Sequence, residues 1–266
     1  MAHQLYNNFV LENKIANMLD TKLAVNPFMT MDYSLTEAAG RKKTIAVYNA
    51  TGTVKDVAQG EGNDSGNGIA VTRTSKDYEV KYTQGFVSYF DEEIEKDPML
   101  MDTSLEKSTA LMANDMTKKF YAELGKTSNT AEYQAATGIT FNDVVDAIAT
   151  FGEDEEGLFM LINPAMKAKI RKNLKDELKY VEGFVRTGYI GSICGVPVYT
   201  SKAVPEQEAY IATKEAVTCF VKKEISSEQE RDANLRKNTL YFRRENVVAL
   251  TDESKAFKFT QAVAAA

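Results

Sequence analysis

The feature that most restricts this chain is a pair of β-prone runs separated by a tip that can form no core. KTIAVYNATGTVKDVA and IAVTRTSKDYEVKY are rich in Val, Ile, Thr and Tyr, and they partly alternate. Between them lies QGEGNDSGNG, with four glycines in ten residues. A polar, glycine-rich tip between two such runs predicts a long β-hairpin. A two-stranded ribbon of this length has no second layer and is marginal on its own. It must be covered by the rest of the chain or by a neighbouring subunit. The tip is neither a GxGxxG turn after a short strand nor a GxxxxGK loop. Its Glu61 and Asp64, with no lysine beside them, would repel phosphate rather than cradle it.

With 266 residues the chain can bury a sizeable core, as one large domain or two modest ones. Its net charge of -6 gives no basic field to draw it to nucleic acid or to acidic membranes. No apolar run approaches the roughly 20 residues that span a bilayer. The first residues, MAHQLYNNFVLENK, lack a basic start and an apolar core, so no secretory leader is expected. The only histidine is His3. That removes the usual Ser-His-Asp and Cys-His nucleophile pairs and most histidine-ligated metal sites. Cys194 and Cys219 have neither CxxC spacing nor a histidine nearby, and read as two small buried residues. No catalytic, cofactor-binding or metal-binding residue is nominated and no cofactor is expected. An enzyme would have to work with carboxylates, lysines or a borrowed cofactor.

The remaining elements follow from periodicity. Residues 4–20 carry Leu5, Phe9, Ile15 and Leu19 at roughly helical spacing. AVNPFMTMDYS reads as an extended arm, because Pro27 disfavours a helical residue before it. FVSYFDEEIEKDP leads into a stripe of Met101, Leu105, Met112, Met116, Phe120 and Leu124, spaced mostly by four. This predicts a helix of about 25 residues, nearly 40 Å long, started by Pro98 and ended by Gly125. The acidic run Asp91, Glu92, Glu93, Glu95 and Asp97 suits the start of that helix, as a solvated face matched to its dipole. The sharper alternative is a pair of carboxylates for acid-base work.

ITFNDVVDAIATFG then reads as a helix and GLFMLIN as a buried strand. Asn163 and Pro164 open a further helix, with Met166, Ile170, Leu174, Leu178 and Val181 as its buried stripe. Its other face carries Lys167, Lys169, Arg171, Lys172, Lys175 and Lys179. Without interleaved aromatics this reads as a solvated face rather than a nucleic-acid surface. GYIGSICGVPVYTSKAVP predicts turns with positive φ at Gly188, Gly191 and Gly195, and Pro197 and Pro205 bound a strand. A phosphate cradle would need a following lysine and a Rossmann order of elements. AYIAT, VTCFVKKE, TLYFRREN, VVALTD and AFKFT read as strands, with EISSEQERDANLRKN as an irregular link. The tail AVAAA is expected to fray.

The order of arm, long hairpin, long helix, mixed region and closing strands resembles a tailed-bacteriophage major capsid protein of the Hong Kong 97-like fold. FVSYFDEEIEKDP resembles the family's strand-to-spine segment. GITFNDVVDAIATFG with GLFMLINPAMKAKIRK resembles its axial helix-strand-helix. GYIGSICGVPVYTSKAVP resembles the loop and strand that follow, and SSEQERDANLRKNTLYFRRENVVALTDESKAFKFT the closing segment. The resemblance implies an α+β fold with an N-terminal arm at 1–40 and an extended loop at 41–83. It implies a peripheral domain at 84–136 and 225–245, an axial domain at 137–224 and 246–260, and a tail at 261–266. The residues expected to meet neighbouring subunits are Arg41, Lys42, Lys43, Lys55, Glu61, Asn63, Asp64, Arg73, Lys76, Glu92, Glu93, Arg243 and Arg244.

The resemblance further implies hexamers and pentamers closing into an icosahedral shell around double-stranded DNA. That DNA would be held without sequence-specific binding, and no membrane would be involved. The place would be the virion capsid, assembled in the cytoplasm of the bacterial host. The chain starts almost at the arm, so scaffolding is expected to be a separate protein or already removed, and the resemblance also implies a separate portal protein. Some relatives join a lysine to an asparagine between subunits; Lys55 and Asn63 lie in the hairpin, but no crosslink is predicted. The alternative is an encapsulin-like nanocompartment shell, which shares the fold but encloses cargo enzymes. A third reading, an enzyme with a two-domain α/β body, finds no cofactor motif and no histidine to support it.

Overall fold

The computed structural model describes residues 14–15, 25–37, 40–62, 68–97, 99–134, 138–152, 155–173 and 191–262. Among the described residues, twelve strands form three sheets. The first sheet joins β1 (Thr30–Asp32), β10 (Val217–Asp232), β11 (Lys237–Leu250) and β4 (Lys81–Phe90), in that order. Across it lies α2 (Leu100–Leu124), a helix of 25 residues, as its stripe predicts. Met101, Leu105, Met112, Met116, Phe120 and Leu124 are all buried against the sheet. Each large apolar side chain buried this way contributes about 1.5–3 kcal/mol, so the stripe is what holds the helix to the sheet. Thr109 interrupts the stripe and is also buried. Its hydroxyl donates to the Leu105 carbonyl at 2.6 Å, which satisfies it within the helix.

The second sheet has six strands and mixed pairing. In order they are β5 (Thr130–Tyr133), β12 (Ala256–Gln261), β9 (Glu208–Ala212), β6 (Phe159–Ile162), β8 (Val196–Thr200) and β7 (Ser192–Ile193). β6 reads as one apolar run because both of its faces are covered. Phe159 and Leu161 belong to the core under α2, and Met160 and Ile162 to a second core. That second core is closed by α3 (Phe141–Ala149) and α4 (Pro164–Asn173). Thr140 and Asp143 cap α3 reciprocally, the Asp143 amide donating to Thr140 Oγ1 and the Thr140 amide to Asp143 Oδ2. Asn163 starts α4 as expected: its Oδ1 accepts from the Ala165 amide at 3.0 Å. Its buried Nδ2 donates to the Val204 carbonyl at 2.7 Å.

The third sheet is the hairpin, β2 (Lys42–Gly52) with β3 (Ile69–Glu79), in a continuous antiparallel register. It is a correction to the sequence reading that the second run is two strands. Val80 breaks it, and Lys81 onward belongs to β4 and pairs with β11.

Several other expectations are corrected. The arm is not extended throughout: Asn26–Phe28 forms a 3-10 turn, with Val25 and Met29 buried around it, before the extended β1 pairs in parallel with β10. Core burial outweighs the preference that Pro27 sets for its predecessor. TLYFRREN and VVALTD are one strand, β11. VTCFVKKE continues through the supposed link as β10. The polar residues there are strand residues because their partners across the ladder supply the backbone hydrogen bonds. Gly195 has φ of 83°, as expected, and the non-glycine Cys194 before it also adopts positive φ, at 51°. Ile193 pairs with Val196, so Cys194 and Gly195 form a two-residue hairpin loop, the geometry that demands positive φ at both positions. Of the helix expected over 4–20, only Lys14 and Ile15 are among the described residues, and Ile15 is buried in the core under α2. Pro98, Leu174, Lys175, Leu178, Lys179, Val181, Gly188 and the tail 263–266 lie outside them.

Candidate assembly surfaces

The hairpin meets the body at its root. Ile45 and Tyr78 pack on a small core of Leu35, Val80, Phe220 and Ala249. The Tyr78 ring stacks on Phe220 at 5.5 Å, and its hydroxyl donates to the Leu250 carbonyl. Polar contacts pin both edges. Lys43 reaches Ser34 Oγ at 2.5 Å and Asp32 at 3.8 Å. Lys76 pairs with Glu253 at 2.9 Å. The Arg41 guanidinium lies over the Tyr82 ring, 3.7 Å from its centroid, and 3.4 Å from Glu245. The Glu253 carboxyl is held below its ordinary range, first by its hydrogen bond to Lys76 and then by that cation's charge; Lys76 is raised for the same reasons. At Asp32, burial works upward but is outweighed by the Ser34 amide, the Ser34 hydroxyl and the charge of Lys43.

Register divides the rest of the hairpin into two faces, since paired residues share a side. On one face Tyr48 stands opposite Arg73, Ala50 opposite Val71 and Gly52 opposite Ile69. Tyr48 is 63% exposed, Val71 64% and Ile69 58%. This is an apolar stripe left exposed on the ribbon among the described residues.

The four-stranded sheet has a second exposed face, opposite α2. Tyr82, Gln84, Phe86, Ser88 and Phe90 alternate along it in β4. Phe86, 65% exposed, pairs with Tyr241 of β11, and their rings lie 6.2 Å apart. Arg243 and Glu228 pair at 2.5 Å on this face, and Tyr241 donates to Glu230 at 3.0 Å.

The residues nominated from sequence fall into distinct groups. Arg41, Lys43 and Lys76 pin the hairpin root, and Lys42 pairs with Asp77 within the hairpin at 2.7 Å. Arg73 lies 6.0 Å above the Tyr48 ring and makes no ion pair among the described residues. Lys55 and Glu61 are exposed near the tip; Asn63 and Asp64 lie outside the described residues. Glu92 pairs with Arg236 at 2.8 Å, and Glu93 accepts the Phe90 amide at the start of α1 (Asp91–Lys96). Arg243 is on the outer sheet face, whereas Arg244 points the other way and is buried.

The acidic run is more engaged than its sequence suggests. Asp91 accepts from both Arg231 nitrogens, at 2.7 and 3.3 Å, and from Asn238 at 2.6 Å, which ties the β10–β11 turn to the start of α1. On α4, Arg171 and Lys172 are exposed while Lys167 and Lys169 are half-buried. Burial pushes both cysteine thiols up; at Cys219 this outweighs the Asn246 hydrogen bond and the charges of Arg244 and Lys119. Neither is poised as a nucleophile. Among the described residues no group of His, Cys, Asp and Glu could hold a metal ion, and no helix is long and apolar enough to cross a membrane. Sequence reasoning missed Tyr82, Phe86, Ile69 and Val71. Their alternation was visible, but not which side of each strand would be covered.

Comparison with known proteins bears on these surfaces. No protein-family model matches the sequence. The mature capsid of bacteriophage PhiM1 superposes with a TM-score of 0.71 at 13% identity, over 98% of this chain and 89% of that one. The chain has the fold of a bacteriophage capsid subunit. The same capsid fold occurs in a virus-like particle from Pyrococcus furiosus, with a TM-score of 0.64 at 10% identity, over 94% of this chain and 98% of that one. A major capsid protein of Staphylococcus phage phiMR11 is 30% identical over 125 residues, which are 45% of this chain and 46% of that protein. The match thus spans about half the length of that relative.

Proposed function

We propose that this chain is the major capsid protein of a tailed bacteriophage and acts by assembly rather than catalysis. The observation that carries the reading is the capsid fold over nearly the whole chain, joined to sequence similarity with a protein named as a major capsid protein. Exposed apolar surface on both the hairpin and the outer sheet face supports it, because such surface on an isolated subunit marks contacts with other chains. In this reading the hairpin is the extended loop of a Hong Kong 97-like subunit. The sheet under α2 is its peripheral domain and the six-stranded sheet its axial domain. Subunits form hexamers and pentamers of an icosahedral shell enclosing double-stranded DNA in the virion. Each contact can be weak, since a closed shell repeats it many times.

Negative-stain electron microscopy of the purified chain, with and without its phage's scaffolding protein, tests this. Closed shells or capsomer rings are expected. Protein cargo in place of DNA inside native particles would favour the nanocompartment alternative. Uniform small oligomers under both conditions would overturn the assembly reading.

A further inference from the structure

Beneath α2 the protein keeps strong hydrogen-bond donors that the surrounding acceptors do not match. Arg244 is 6% exposed, yet its Nε has no hydrogen-bond partner, and no carboxylate lies within ion-pair distance of its guanidinium among the described residues. Two residues along the same face of β11, Asn246 is 4% exposed. Its Nδ2 meets Met116 Sδ at 3.1 Å and Cys219 Sγ at 3.6 Å, both weak acceptors. Thr83 of β4 is the register partner of Arg244, and its Oγ1 accepts from Lys119 of α2 at 2.7 Å. The hydrogen of that hydroxyl is left to donate. The charges of Arg244 and Lys119 both act on the Cys219 thiol, so the two cations share one space. A buried cation loses its hydration uncompensated unless a negative group pairs with it.

We propose that Arg244, Asn246, Lys119 and Thr83 form a binding site for a small tetrahedral oxyanion of the inorganic phosphate class. Charge is the first reason. Arg244 and Lys119 stand against one carboxylate, Asp115, which already pairs with Lys119 at 2.5 Å. Lys81 adds a third cation at the rim: it is exposed, lies opposite Asn246 in register and makes no ion pair among the described residues.

Geometry is the second reason. Arg244 and Asn246 stand about 7 Å apart along β11, and Arg244 and Thr83 about 5 Å apart across the ladder. Lys119 comes from α2, over the sheet. Donors placed this way do not lie in one plane. A tetrahedral group can turn an oxygen toward each of them. A carboxylate, with two oxygens in one plane, suits the guanidinium fork and leaves the others unmatched. Access is the third reason. A groove of about 350 Å³ between α2 and β4 is lined by Thr83, Met112, Asp115 and Phe242, beside the cluster. A free anion can enter there, whereas a phosphodiester would have to bring its nucleic-acid strand beneath the helix. The bound anion would join α2, β4 and β11 within one subunit, so the site stands or falls independently of assembly.

Melting of the unassembled full chain in sodium phosphate, against sodium chloride at equal ionic strength, tests the site. Titration calorimetry supplies the Kd. At a hundredfold excess of phosphate over that Kd, Tm should rise by about 5 °C. Arg244→Met should abolish the rise, and in chloride alone it should melt no lower than the unmodified chain, because it removes an unpaired buried charge. Lys119→Met, at a half-exposed position, should weaken phosphate binding about tenfold. Dimethyl phosphate, which imitates the linkage of a nucleic acid, should give no rise. Equal Tm in phosphate and chloride would overturn the site, and so would an Arg244→Met chain that keeps the rise. Should Arg244→Met not fold, undiminished binding by Lys119→Met would overturn it instead. Protection by dimethyl phosphate equal to that by phosphate would overturn the free-anion assignment in favour of a nucleic-acid phosphodiester.

Discussion

Gly85 is the position where a single methyl group should be felt most sharply. It lies in β4 directly opposite Phe242 of β11, whose ring is buried under α2. A Cβ on Gly85 would come within 2.5 Å of Phe242 Cε2 and 2.7 Å of Cζ. Ordinary carbon contacts are about 3.5–4.0 Å, so the ring must retreat by about 1 Å into a packed core. Overpacking of this kind costs about 1–3 kcal/mol. With an unfolding entropy of about 2.1 cal/mol/K per residue, the full chain has about 0.56 kcal/mol/K, so Gly85→Ala should lower Tm by about 2–5 °C. Phe242→Ala alone should cost about 3–5 kcal/mol through the cavity it leaves. In the double variant the new methyl enters that cavity, so the two losses should fall short of additive by about 1–3 kcal/mol. Calorimetry of the unassembled subunit reads all three. A Gly85→Ala chain as stable as the unmodified one, or strictly additive losses, would refute the clash.

Two further outcomes are expected. Asn163→Ala removes both the α4 cap and the donor to the Val204 carbonyl, so subunit stability should fall by about 1–3 kcal/mol; an unchanged melting curve would show that neither bond matters. The Lys76–Glu253 pair should hold the hairpin root across neutral pH. Glu253 is depressed below its ordinary 4.5, so its contribution is full above that value and is lost as pH falls through the lowered one. Lys76 is raised above 10.5, so its contribution is full below that value and is lost only as pH rises through the raised one. Both side chains are nearly half exposed, which limits the pair to about 0.2–1 kcal/mol. Lys76→Ala should therefore leave Tm nearly unchanged while amide exchange in β3 rises, and acid should do the same to the unmodified chain. Equal exchange in both chains at neutral pH would show that the pair does not hold the root.

Much of the architecture was legible because it rests on local pattern. The stripe from Met101 to Leu124 specifies a helix with one buried face whatever lies beneath it. Asn163 with Pro164 marks a helix start through the cap and the fixed φ of proline. The glycine-rich tip between β-prone runs makes a hairpin the cheapest local solution. These signals need only neighbours within a turn or a strand pair.

What the sequence could not express depends on residues far apart in the chain. Thr30–Asp32 becomes a strand only because β10 offers an edge, and burial of Val25 and Met29 pulls the arm onto the body. The charged and polar residues of β10 and β11 are strand residues because each partner's backbone is already extended across the ladder. Asp91 finds Arg231 and Asn238 only when the β10–β11 turn folds back over α1. The hairpin's apolar stripe is set by which side of Tyr48 and Val71 the root contacts leave uncovered. Side-chain alternation fixes two faces for any strand, but only tertiary packing decides which of them is left for another chain.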